Sequence, residues 1–293
     1  MFQALAAASL ALIVFALPAA AQECPPPGYD RARLGALKQT EWAIPDENER
    51  RRFAEAIAAC VASPDPTLRD GVAFEALSHL LRANQLDVAT QNALIVALLP
   101  RLQSDDPNGF EAPFAALVLS ELARAERLNP HMTDDMRADV LDRALAYFTS
   151  VRDYRGFDEA EGWRHGVAHG ADLLLQIGIH PAFGKAEQQR VLAAIETQIA
   201  PEGHFYIYGE PERLARPLVF IAQRGLISED EWTAYFARLP AAGENVYASQ
   251  AGLAWRHNVM AFLMALHMNA SISEDSNDDA MLPGLNAALQ AMP

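Results

Sequence analysis

The chain of 293 residues carries 38 acidic against 23 basic side chains, a formal charge of −15, which argues against nucleic acid or anionic lipid as a partner. Its hydrophobic content of 51% and its length suffice to bury a domain-sized core. Abundant alanine and leucine with few β-branched residues favour helix over strand.

Residues 4–21 form an apolar run interrupted only by Ser9 and ending Leu17-Pro18-Ala19-Ala20-Ala21. The proline break and the Ala19-x-Ala21 pattern predict a signal peptide over residues 1–21, with cleavage after Ala21. No later stretch is apolar and long enough to span a bilayer, so an exported protein, periplasmic or secreted and without membrane insertion after cleavage, is expected. Export places Cys24 and Cys60 in an oxidising compartment, where they are expected to form a disulfide.

From there the punctuation predicts helices near 29–40, 47–62, 67–83, 87–102, 110–127, 133–149, 158–178, 184–200, 211–225, 228–238, 249–268 and 280–291. Ser63-Pro64-Asp65-Pro66, Asp106-Pro107-Asn108-Gly109 and Asn129-Pro130 are breakers between them, and Ser228-Glu229-Asp230-Glu231 has the form of a capping box. About twelve helices with short turns predict an all-α fold: an αα-superhelix or HEAT-like helical array, forming one domain over residues 22–293. No sequence repeat of fixed period is visible. The acidic stretch over 271–279 lacks the glycine turn of a calcium loop and reads as a solvated loop.

The chemistry concentrates in the helix predicted over 158–178. At about 100° per residue, Glu161, His165, His169, Asp172 and Gln176 fall within an arc of roughly 80°, while Trp163, Val167, Ala171 and Leu174 face the other way. His165 and His169 are four apart, a spacing that suits zinc, with Asp172 as a third ligand and Glu161 as a general base. The His-Glu-x-x-His arrangement of zinc proteases is missing, since Gly166 follows His165. Two further readings stand beside the metal: histidines that brace neighbouring helices, and a groove for a peptide, protein or small ligand. Gly162, Gly166 and Gly170 recur every four residues and form a smooth strip suited to close helix packing or to a ligand.

A second cluster runs Gly203-His204-Phe205-Tyr206-Ile207-Tyr208-Gly209-Glu210-Pro211-Glu212-Arg213. Pro211 marks a helix start, with Glu212 in its first turn. In an αα-superhelix alternate helices stack in parallel, so this start should adjoin that of the histidine helix. Glu210, Glu212 and Arg213 would then approach Glu161 and His165. No nucleophile elbow, phosphate-cradling loop, dinucleotide fingerprint or Cys-x-x-Cys is present.

Tyr154-Arg155-Gly156-Phe157 leading into Gly162-Trp163-x-His165-x-x-Ala168-His169-x-Ala171-Asp172 resembles the bacterial family catalogued as domain of unknown function 2785. Glu210-Pro211-Glu212-Arg213-Leu214-Ala215 and Phe114-Ala115-Ala116-Leu117-Val118-Leu119 are similar to two further segments of that family, and together the three span about residues 110–225. The resemblance implies a helical, repeat-like fold and no established activity. The expected function is that of an exported helical scaffold without a cofactor, binding its ligand through Trp163, His165, His169, Asp172, Glu210, Glu212 and Arg213. The alternative is a zinc-dependent hydrolase using His165, His169, Asp172 and Glu161.

Overall fold

Helix starts are written into the chain as capping side chains. Asp30, Asp46, Asp65, Asp87, Thr133, Ser228 and Ser249 each accept a backbone N–H in the first turn of the helix that follows, at about 1 kcal/mol apiece. The computed structural model describes residues 23–239 and 245–293, and the expected signal peptide lies outside them. In chain order come α1 (Arg31–Gln39), α2 (Glu47–Ile57) and the single turn α3 (Pro66–Leu68). A π-helical turn over Arg69–Phe74 leads into α4 (Glu75–Arg82), followed by α5 (Val88–Leu98), α6 (Glu111–Leu128) and α7 (Asp134–Ser150). A short hairpin, β1 (Phe157–Asp158) and β2 (Gly162–Trp163), precedes α8 (Gly166–Gly178) and α9 (Lys185–Glu196). The chain ends in α10 (Glu210–Ala222), α11 (Glu229–Phe236), α12 (Gln250–Ile272) and α13 (Leu282–Ala291). Twelve of these helices have eight residues or more, so the fold is all-α as expected.

Alternate helices lie side by side: α6 packs on α8, α8 on α10 and α10 on α12, while α7 packs on both α8 and α9. The first three run parallel. Phe114 of α6 meets His169 of α8 near their N-terminal ends (5.1 Å), and Arg127 reaches Gln176 at the other end (3.2 Å). The starts of α8 and α10 adjoin as the superhelix reading required, with His165 3.7 Å from Glu210. One continuous apolar cluster runs from Tyr29 to Ala288. Cys24 and Cys60 form the expected disulfide, which ties the proline arm to the turn after α2.

The helix expected over 158–178 begins eight residues later. Asp158 accepts the N–H groups of Ala160 and Glu161 (2.8 and 2.9 Å), and Gly162 adopts φ +74°, so turn chemistry takes the backbone that a helix would have used. Phe157 pairs with Trp163 across the hairpin, and His165 caps α8 at φ 57°. The glycine strip is correspondingly divided. Gly162 belongs to the hairpin, whereas Gly170 is where α7 lies on α8: a Cβ there would stand 2.6 Å from the Phe148 ring and 3.2 Å from Tyr147. Gly170→Val is therefore expected to lower the unfolding free energy by about 1–3 kcal/mol through overpacking, measured by denaturant unfolding.

Candidate functional site

The parallel run of α6, α8 and α10, closed at its N-terminal end by the hairpin, bounds a cleft of about 740 Å³. Of the residues singled out in the sequence, Trp163, His165, His169, Asp172 and Arg213 line it. Glu210 sits directly behind His165, almost fully buried, with Oε2 accepting the Tyr208 N–H at 2.9 Å. Glu161 and Glu212 are exposed and lie outside the cleft. Because the helix starts at Gly166, Glu161 leaves the stripe: its side chain pairs with Arg164 at 2.8 Å and its carbonyl accepts Arg69 at 2.7 Å. Trp163, expected on a core-facing side, instead stacks on His165 (4.7 Å between centroids) and stands edge-on to Tyr208 (6.0 Å).

Several lining residues escaped the sequence reading. Phe114, Leu117, Ser120, Glu121 and Arg124 share one face of α6, a periodicity that was legible as helix but carried no chemical flag. Asp70 and Phe74 come from the π-helical turn, and Arg82 from α4. The turn is fastened to the hairpin by Arg69, whose fully buried guanidinium donates to Asp70, to the Ser63 carbonyl and to the Glu161 carbonyl. The backbone N–H of Trp163 favours the charged form of the Asp70 carboxylate, against the burial that raises its pKa.

Electrostatics within the cleft favour neutral imidazoles. Burial first, and then the Arg213 charge, pulls the His165 pKa down to about 4 against the pull of the Tyr208 carbonyl. Burial, His165 and Arg213 hold His169 well below its ordinary value. Burial raises the Glu210 carboxyl despite two backbone N–H groups that favour its charge. Both histidines have a folded pKa below the unfolded value of about 6.5, so the unfolded chain binds more protons between that pH and about 4. Stability is expected to fall as pH drops from 6.5 towards 5, at up to about 1.4 kcal/mol per pH unit for each histidine. Glu210, with a raised folded pKa, opposes this with stability that is lost as pH rises through its titration. Thermal unfolding at pH 7 and pH 5 should show the decline, and His165→Gln should shrink it.

Asp172 is held by Arg213, whose Nε donates to Oδ1 at 3.0 Å while a second guanidinium nitrogen contacts Oδ2. His165 faces Glu210 and the Tyr208 carbonyl. His165, His169 and Asp172 thus do not present three free donors to one ion, and among the described residues no group of three or more His, Cys, Asp or Glu converges as a cation site. What the cleft does offer is an aromatic wall at one end, arginines along its length, and on its floor the buried His169.

Residues 98–268 match the profile of a family described as protein of unknown function, DUF2785. No curated protein and no solved structure matched the chain. The matched span holds every α6, α8 and α10 residue of the cleft, whereas Asp70, Phe74 and Arg82 come from the segment before it. With more than half of its length matched, the chain belongs to the DUF2785 family.

Proposed function

We propose that the protein is an exported helical binding protein whose α6–α8–α10 cleft takes a small ligand, or the end of a peptide, with a flat or apolar portion. The observation that carries this is the placement of Trp163. Trp42 and Trp232 are buried at 1% and 0% exposure and half-buried Trp255 lies on α12 outside this cleft, but Trp163 is partly exposed at the cleft itself, where His165 and Tyr208 hold it in place. A rigid aromatic surface at the mouth of a concave site gives contact area at little entropic cost. Export, to the periplasm or the medium, is supported by the disulfide and by the leader-like residues 1–21. No helix among the described residues is long and apolar enough to cross a membrane.

Ligand-observed NMR with a panel of small aromatic and aliphatic probes tests the reading. Probe binding is expected in the wild-type protein and is expected to disappear in Trp163→Ala while the melting temperature stays nearly constant. Binding unaffected by that substitution contradicts it. Metal analysis of the purified protein is the counter-test: about one zinc per chain, lost in His165→Ala, would replace this reading with the hydrolase.

A further inference from the structure

We propose that the cleft ligand is a small amphipathic organic anion, seated with its apolar portion on Trp163 and Tyr208 and its carboxylate or phosphate group between Arg124 and Arg216. The proposal rests on the cleft being a binding site and names what that site selects.

A chain with a formal charge of −15 places four arginines, Arg82, Arg124, Arg213 and Arg216, against three acids, Asp70, Glu121 and Asp172, in this one cleft. Arg82 is committed to Glu121 (2.9 Å from Nε) and Arg213 to Asp172. Arg124 makes no hydrogen bond to another side chain among the described residues, and Arg216 reaches Asp172 only at 3.9 Å. Arg127, one turn beyond Arg124, meets only the uncharged Gln176 oxygen (3.2 Å). The arginines also crowd one another. After burial, the neighbouring charge of Arg124 lowers Arg127, and that of Arg216 lowers Arg213. A bound oxyanion would relieve that repulsion, and two guanidinium forks suit its geometry better than point charges do.

Phe114 and Arg124 are ten residues apart on the lining face of α6, roughly 15 Å along its axis, and Glu210 and Arg216 six apart on α10, roughly 9 Å. The two arginines are therefore rooted roughly 9 and 15 Å along parallel helices from the end of the cleft that Trp163 and Tyr208 close. Because helical side chains lean towards the N-terminus, both guanidinium groups reach back along the cleft, which leaves a gap suited to an aryl body of a few carbons ending in an acid. His169, a side chain only 6% exposed, forms part of the cleft floor between the two ends.

Calorimetric titration of the full chain with 4-phenylbutyrate, 3-phenylpropyl phosphate and the neutral 4-phenylbutanol tests the assignment. At least one of the two anions is expected to bind about tenfold or more tightly than the alcohol, a difference on the scale of one charge-assisted hydrogen bond. Which anion leads identifies the head group. Arg124→Gln with Arg216→Gln should abolish the difference and leave alcohol binding unchanged. Raising the salt concentration in the wild-type protein should weaken only the anions, which keeps the test valid if the double variant folds poorly. Equal binding of the alcohol and both anions overturns this inference and leaves the cleft reading standing. Absence of binding by all three, with Trp163 unperturbed, overturns both.

Discussion

Arg69→Ala is expected to lower the unfolding free energy by about 3–5 kcal/mol, the largest effect of any single substitution considered for this chain. The guanidinium is fully buried, lies 4.0 Å from the centre of the Phe110 ring, and is the shared partner of Asp70, the Ser63 carbonyl and the Glu161 carbonyl. Its loss strands a partly buried carboxylate and leaves two carbonyls without their donor, and no water-filled space replaces the side chain without cost. Because Glu161 and Trp163 bracket the end of the hairpin, the same substitution should loosen Trp163, seen as a red shift of its emission before global unfolding. Denaturant unfolding monitored by circular dichroism and by fluorescence checks both parts. An unchanged midpoint would show that the hairpin does not depend on Arg69.

Asp172→Ala is expected to act in two opposite directions. Removing the carboxylate leaves Arg213 beside Arg216 with no counter-charge, at a cost of about 2–3 kcal/mol, reduced from the figure for fully buried pairs because Arg213 is 31% exposed. The double variant Asp172→Ala with Arg213→Met should recover part of that loss, since no unpaired charge remains. Affinity for an amphipathic anion should nevertheless rise in Asp172→Ala, because the positive charge of the cleft increases by one. A bracing role alone predicts the stability loss without the gain in affinity. A double-mutant cycle read by denaturant unfolding, with the anion titration on the same proteins, separates the two.

Much of this was legible in the chain. Breakers and capping side chains such as Asp46, Asp87, Thr133 and Ser228 encode helix starts locally, and the array of about twelve helices follows from them. The approach of Arg213 to the histidine helix was also legible, because the stacking of alternate helices brings two N-termini together. Periodicity misled at residues 158–165. The apolar and polar alternation there fits a helix equally well, but Asp158 and Gly162 close a turn first, which takes Glu161 out of the site and lets Trp163, expected among the ligand-binding residues, line it from the hairpin instead of from a helix. The contributions of Asp70, Phe74 and Arg124 are non-local. They depend on how the π-helical turn and α6 pack against α8, and no spacing in the sequence records that.

The central claim, that the cleft beside Trp163 is where this protein meets its ligand, is tested most directly by the indole N–H signals of its four tryptophans in ¹⁵N-labelled protein titrated with 4-phenylbutyrate. The account predicts that the Trp163 signal moves saturably while those of Trp42, Trp232 and Trp255 stay in place. A Trp163 signal that stays fixed, or movement confined to the other three, would contradict it.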